Sequence, residues 1–182
     1  KINRQVLFPV LSQKSDFPRF DLRKFIEKKR FLLLISFAVS IAILAGFGDF
    51  LILGLYDENY VDAAWMFPFL ALGVWPNVIF SAYNSSLLAV GRPFYGAWGQ
   101  FATLLYMVIM IPLGFSKLSV LGIILIISLN DIPLYLLSVY GVVREKMSFL
   151  KQDIFSTLIL VSLFLFILQV RSIYGISLNL SL

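Results

Sequence analysis

An uncharged run from Ala63 to Gly91 is the feature that most constrains this chain. A helix that crosses the hydrocarbon core of a bilayer needs about 20 apolar residues, so the run is long enough to span it. Pro68 and Pro76 lie inside the run, together with several polar side chains. A proline removes a backbone hydrogen bond, and a polar group in lipid needs a partner. The run therefore predicts a kinked membrane helix that faces protein or a water-filled cavity.

The composition also indicates an integral membrane protein. Hydrophobic residues make up 60% of the 182 residues, and only 14% are charged, whereas about 25% are charged in soluble domains. The chain contains neither Cys nor His, which excludes disulfides, thiol catalysis and metal sites built from those side chains. We therefore expect no metal, no cofactor and no enzymatic activity.

Apolar segments divide the chain into about five predicted spans. In chain order they cover residues 31–48, 63–89, 94–115, 119–143 and 154–170. The fourth is interrupted by Asn130, Asp131 and Pro133, and the fifth is close to the shortest length that crosses a bilayer. The fold class that follows is all-α, a polytopic transmembrane helix bundle.

Three regions follow from this division. Residues 1–30 are predicted to hold the end of a preceding helix and a basic, amphipathic cytoplasmic segment that lies on an anionic membrane surface. Residues 31–170 form the five-helix bundle. Residues 171–182 are interpreted as a tail or as the start of a truncated helix.

The placement of Lys and Arg predicts the orientation of the bundle. With residues 1–30 in the cytoplasm, the connections on that side hold all but two of the 15 basic residues, and the outer side holds Lys117 and Arg171. Short cytoplasmic connections carry such an excess of positive charge. The bias favours five spans over four or six, and it places the acidic connection around Asp57 outside.

Asp131 is the sharpest functional candidate. With Asn130 it lies near the middle of the predicted fourth span, where a carboxylate costs about 2.5–3.5 kcal/mol on insertion scales. Such a cost indicates a cation or proton site, or a hydrogen bond to sugar hydroxyls. In the alternative interpretation, Asp131 is neutral and bonded to a neighbouring helix, or it lies closer to the membrane surface.

Polar side chains of the second span form another candidate group. Asn77, Ser81 and Asn84 recur at helical spacing, and Tyr83 lies among them. Such a stripe could line a hydrophilic pathway, or it could form hydrogen bonds between helices, and the spacing leaves both interpretations open. Arg92 lies in the turn that follows, where its guanidinium suits either a pyrophosphate or the lipid headgroups.

Three stretches carry a resemblance to a known family. VLFPVLSQ precedes the basic connection, LILGLYDENYVDAA leads into the second span, and AVGRP closes it. Leu55, Tyr56 and Tyr60 match the pattern LYG-x-x-Y-x-x-A, and residues 89–92 match A-x-G-R/K, with Asp57 where Gly is usual. In order and spacing the chain resembles the C-terminal part of a polysaccharide or O-antigen flippase, in the multidrug/oligosaccharidyl-lipid/polysaccharide exporter superfamily.

The resemblance implies most of one lobe of a MATE-like, two-lobe transporter. Such a protein flips lipid-linked oligosaccharide, the repeat unit of a cell-envelope polysaccharide such as lipopolysaccharide, across the bacterial or archaeal cytoplasmic membrane by alternating access. The implied partners are that substrate, membrane lipids, a coupling proton or sodium ion, and the missing N-terminal lobe of the same protein. No nucleic acid is expected, because the basic residues lie in connections that flank the membrane.

Two further functions are compatible with the sequence. A multidrug or cation antiporter of the same superfamily would use Asp131 as its coupling carboxylate, although such antiporters usually carry more membrane carboxylates. A membrane polysaccharide polymerase resembles this chain in its long helices, but the predicted outer connections are short for such an enzyme.

Overall fold

The described part of the chain is all-helical. A computed structural model describes residues 19–55 and 61–174, and regular secondary structure there is entirely α-helix. In chain order the helices are α1 (Arg19–Leu55), α2 (Val61–Gly73), α3 (Trp75–Ala89), α4 (Phe94–Ser128), α5 (Ile132–Arg144) and α6 (Leu150–Ile173). The VLFPVLSQ stretch, most of the acidic outer connection and the C-terminal tail lie outside the described residues.

Four segments of the described chain are long and apolar enough to cross a membrane. They are Lys29–Leu55, Ala63–Leu88, Phe94–Arg144 and Leu150–Ile173. The prediction of an all-α protein with membrane-spanning helices agrees with this arrangement. The Phe94–Arg144 segment covers two of the predicted spans.

Helix α1 continues through the basic segment that the sequence suggested would lie on the membrane surface. Its backbone is helical from Arg19 to Leu55, so no break separates that segment from the first span. Arg30, at the end of the basic segment, is only 1% exposed. The buried position of Arg30 has a simple cause, because Asp153 of α6 lies against it.

The second predicted span is divided at Val74, between α2 and α3. Pro76 lies in the first turn of α3, where it has no N–H to donate to the carbonyl of Leu72. The break agrees with the predicted kink. Pro68, by contrast, lies within α2 without ending it.

The fourth predicted span is divided in a similar way, between Ser128 and Ile132, and Pro133 lies in the first turn of α5. The two breaks lie side by side. A methyl group added to Gly73, at the end of α2, would lie 2.5 Å from the carbonyl oxygen of Ser128. Only glycine permits the two backbones to approach this closely.

Helix α4 reverses direction at Ser119, in its C-terminal third. Ser119 has φ 51° and ψ −132°, outside the helical region. A Cβ built on Gly122 would lie 2.2 Å from the carbonyl oxygen of Gly114, whereas residues eight positions apart in a straight helix are separated by about 12 Å. The chain therefore turns back at Ser119, at the predicted boundary between the third and fourth spans.

Two buried ion pairs join α1 to α6. Arg30 pairs with Asp153 near the start of both membrane segments, and Asp49 pairs with Arg171 near their ends. The beginning of α1 therefore lies beside the beginning of α6, and their ends also lie together, so the two helices run parallel. The stretch from residue 30 to residue 49 is about 28 Å of helix, close to the thickness of a bilayer core.

Each pair is supported by further contacts. Arg171 donates from its two terminal nitrogens to Asp49, at 2.7 and 2.6 Å, and it also donates to the carbonyl of Gly46. Arg30 donates to one carboxylate oxygen of Asp153, and the hydroxyl of Tyr83 donates to the other. A buried charge is tolerated when it is paired and hydrogen-bonded in this way.

The core of the bundle lies around the Arg30–Asp153 pair. Its buried apolar side chains come mainly from α1, α3 and α6 and from the connection before α6; among them are Leu34, Ala38, Ile41, Trp75, Ile79, Leu87, Met147, Phe149 and Leu160. Gly46 of α1 lies against Ile167 of α6, and Gly48 lies against Phe67 of α2. These two glycines thus occupy positions of close helix approach.

Removal of one partner of the Asp49–Arg171 pair should destabilise the protein strongly. Asp49→Ala leaves a buried guanidinium without its counter-ion, and we expect a loss of about 3–5 kcal/mol in the free energy of unfolding. Denaturant titration of the protein in lipid nanodiscs measures this loss. The exchange of both residues, Asp49→Arg with Arg171→Asp, should recover part of it.

Lys117→Gln is the matched control, because Lys117 is an exposed cation. A loss for Asp49→Ala no larger than the loss for Lys117→Gln would contradict a stabilising role for the pair.

Candidate functional site

The two helix breaks bring a pair of predicted residues into contact. Asn77, in the first turn of α3, donates from Nδ2 to Oδ2 of Asp131 at 2.8 Å. Asp131 is the residue before α5, with φ −86° and ψ −2°, and its carboxylate makes no capping bond to the α5 backbone. The carboxylate is therefore held by the neighbouring span.

The starts of two helices lie beside Asp131. The first N–H groups of a helix have no partner within it and carry the positive end of the helix dipole. Both α3 and α5 begin at this contact, and they run parallel, because Arg92 and Glu145 pair just beyond their other ends. Two helix starts thus lie beside one carboxylate. The carboxylate is able to accept a hydrogen bond from a hydroxyl or to attract a cation, whereas the partial positive charge of the helix starts opposes a cation.

The contact between Asn77 and Asp131 lies towards the surface of the described bundle. Asn77 is exposed, and both Asn130 and Asp131 are half-buried. The backbone N–H of Asn130 donates to the carbonyl of Ile127 at 3.3 Å, which closes the last turn before the break. The polar groups at the breaks are thus accessible from outside the described helices.

Ser81 and Asn84 do not share the contact of Asn77. The carbonyl of Ser81 accepts a hydrogen bond from the hydroxyl of Ser85 within α3, at 3.1 Å. Asn84 lies against α4, since a Cβ on Gly96 would approach its Oδ1 to 2.8 Å. The predicted stripe therefore consists of separate contacts with different helices.

Tyr83 and Arg92 also make contacts other than the one between Asn77 and Asp131. Tyr83 is fully buried in the core, bonded to Asp153, with its ring 4.5 Å from the guanidinium of Arg30. The side chain of Arg92 is 62% exposed, and its Nε lies 3.3 Å from the carboxylate of Glu145. Tyr83 thus takes part in helix packing, and Arg92 lies at the surface end of the bundle.

Sequence reasoning missed the two buried ion pairs. It treated Arg30 and Arg171 as charges that flank the membrane, and it did not consider Asp49 or Asp153 at all. The sequence does carry a signal for these pairs. The first apolar segment has Arg30 followed by Asp49, and the last has Asp153 followed by Arg171 at almost the same interval. Opposite charges in matched order predict two helices that pair in parallel.

No metal site is visible in the described chain, since residues 19–55 and 61–174 contain no group of three or more His, Cys, Asp or Glu side chains close together. No family model, curated protein or solved structure matches this chain. Function is therefore inferred from the helix breaks, the buried charges and the sequence motifs.

The Asn77–Asp131 contact should give a measurable coupling energy. A double-mutant cycle with Asn77→Ala and Asp131→Ala should give about 1 kcal/mol, within the range of hydrogen bonds between membrane helices. The measurement is the unfolding free energy of the two single variants and the double variant in nanodiscs. Asn84→Ala combined with Asp131→Ala is the control and should be additive, because Asn84 packs on α4 instead. Equal coupling in the two cycles would contradict a specific contact.

Proposed function

We propose that this chain forms most of one lobe, the C-terminal part, of a transporter that flips lipid-linked oligosaccharide across the cytoplasmic membrane by alternating access. The observation that carries the proposal is the pair of parallel, broken helices whose breaks meet at Asn77 and Asp131. The substrate class comes from the motifs around Tyr56, Tyr60 and Arg92, which resemble those of polysaccharide flippases.

Broken helices suit a protein that changes conformation in a membrane. Backbone groups freed at a break cannot face lipid, so they must lie against protein or line a cavity. Secondary transporters place such discontinuous helices at their substrate and ion sites. The half-helices on either side of Val74 and of residues 129–131 could reorient about these points without loss of their internal hydrogen bonds.

The α1–α6 pair would supply the fixed part of the lobe. Ion pairs hold it at both ends, and α3 is attached to it by the bond from Tyr83 to Asp153. That bond lies in the second half of α3, and Trp75, the first residue of α3, also donates from Nε1 to Oγ1 of Thr157 in α6 at 2.9 Å. Helix α3 would therefore belong to the fixed part, and movement would fall to the segments on the other side of the Asn77–Asp131 contact.

A second candidate function is cation-coupled antiport, and one observation favours it. Asp49 and Asp153 each face an arginine, whereas the side-chain partner of Asp131 is the amide of Asn77. A membrane carboxylate without a basic partner is able to bind a proton or a sodium ion. In an antiporter this would be the coupling site, and in a flippase the same group would meet an ion or the hydroxyls of a sugar.

We also propose five membrane crossings, with the Phe94–Arg144 segment crossing twice. The reversal at Ser119 supports this, and so does the parallel direction of α1 and α6, because parallel first and last spans require an odd number of crossings. A single crossing by that segment would make α1 and α6 antiparallel.

Cysteine labelling tests the number of crossings directly, since the chain has no native Cys. In membrane vesicles, a membrane-impermeant thiol reagent should label Arg92→Cys and Lys151→Cys from one side and Lys117→Cys from the other. Labelling of the first two from opposite sides would mean that the segment between them crosses once.

Substitution of Asp131 at the chromosomal locus of the source organism tests the function. Asp131→Leu removes both the charge and the acceptor for Asn77, whereas Asp131→Asn removes the charge alone. We expect Asp131→Leu to cause accumulation of lipid-linked oligosaccharide in the membrane, measured by mass spectrometry at equal protein abundance. Asp57→Asn, in the acidic connection, is the matched control and should not.

The two candidate functions predict different outcomes of this experiment. Loss of tolerance to cationic drugs or sodium in Asp131→Asn, without lipid-linked intermediates in either Asp131 variant, would reject the flippase and favour the antiporter. Accumulation in Asp131→Leu but not in Asp131→Asn would assign the residue a hydrogen-bonding role in flipping.

A further inference from the structure

A cavity opens at the basic end of the bundle, between the start of α4 and the end of α5. Its volume is about 610 Å³, within the range of small-molecule sites. The lining combines basic and aromatic side chains: Arg92, Phe94, Tyr95, Trp98, Leu137, Tyr140, Arg144 and Glu145.

The charges of the cavity favour an anionic ligand. Arg92 pairs with Glu145 at 3.3 Å, so those two charges offset each other. Arg144 is exposed, and its guanidinium has no hydrogen-bond or ion-pair partner among the described residues. The N-terminal end of α4 also opens here, and Pro93, which precedes it, provides no side-chain cap. A free guanidinium beside uncapped helix N–H groups suits a phosphate.

The walls of the cavity suit the apolar part of an amphiphile. The rings of Phe94 and Trp98 meet edge to face at 5.6 Å, and those of Tyr95 and Tyr140 do so at 6.2 Å. A second cavity of about 270 Å³ shares Phe94 and Trp98 with the first and extends along α4 to Phe101. Its lining is almost wholly apolar, so it offers a path for an acyl chain towards the membrane interior.

We propose that the cavity binds an anionic membrane lipid, with its phosphate at Arg144. The acyl chain of the lipid would lie along the second cavity, which is lined by Phe94, Ala97, Trp98 and Phe101. The position supports a lipid over a soluble phosphate, because the cavity lies at a helix end beside the basic connections and continues into an apolar groove. The proposal concerns lipid binding alone and does not depend on transport.

Quenching of Trp98 by brominated lipid tests the site. The natural-length protein is reconstituted into mixed vesicles of phosphatidylglycerol and phosphatidylcholine, with bromine on the chains of one lipid or the other. The difference between the native protein and Trp98→Phe isolates the emission of Trp98, whose side chain is half exposed. The ratio of Trp98 quenching by brominated phosphatidylglycerol to Trp98 quenching by brominated phosphatidylcholine gives the relative affinity of the site for the anionic lipid.

We expect Trp98 to prefer phosphatidylglycerol about fivefold, the effect of roughly one basic residue at an anionic surface. Arg144→Gln should abolish the preference. Lys151→Gln is the matched control, an exposed cation at the same end that does not line the cavity, and it should keep the preference. In vesicles of brominated phosphatidylcholine alone, quenching of Trp98 should be the same in both variants as in the native protein, which checks that they are folded.

Three results would overturn the proposal. An equal loss of preference in Arg144→Gln and Lys151→Gln would mean that general surface charge governs the lipid contacts. No preference in the native protein would mean that the cavity does not select an anionic lipid. Removal of the preference by inorganic phosphate, but not by chloride at the same ionic strength, would mean that a free anion and not a lipid occupies the cavity.

Discussion

The bundle depends on two buried ion pairs between its first and last spans. A charge in the membrane is costly, and each of these four side chains is tolerated because its counter-ion lies on the other helix. The order of charges is opposite on the two helices, Arg then Asp on α1 and Asp then Arg on α6. An antiparallel arrangement, or a large shift along the axis, would place like charges together or leave charges unpaired. The pairs thus fix direction and register at once.

The ion pairs fix α1 against α6. In the other spans, some parts pack against this pair, and others contain the breaks in the helix. Tyr83 attaches α3 to the pair at the basic end, and Gly46 and Gly48 allow α6 and α2 to approach α1 closely. The interrupted parts lie where α2 meets α3 and where α4 meets α5, with Gly73 against Ser128. Prolines start both following half-helices, so the same local chemistry produces two breaks, and packing brings them together.

The same physical rule, that polar groups in lipid need partners, separates structural from functional residues in this chain. Asp49 and Asp153 have arginines, Tyr83 has Asp153, and Ser85 and Ser138 donate to carbonyls of their own helices. Asp131 has an amide partner at a surface of the described bundle, and Arg144 faces a cavity. The functional proposals rest on these last two residues.

The sequence by itself determined the helices and their interruptions. Apolar segments of sufficient length, Pro76 and Pro133, and the distribution of basic residues depend on local hydrogen bonding and hydration, which can be read from one segment at a time. Only the tertiary structure decided which polar side chains meet. The pairing of Asn77 with Asp131, the separation of Asn84 from that contact and the burial of Arg30 depend on which helix packs beside which. That choice is set by long-range contacts such as the Arg30–Asp153 and Asp49–Arg171 pairs, whose partners lie more than a hundred residues apart in the chain.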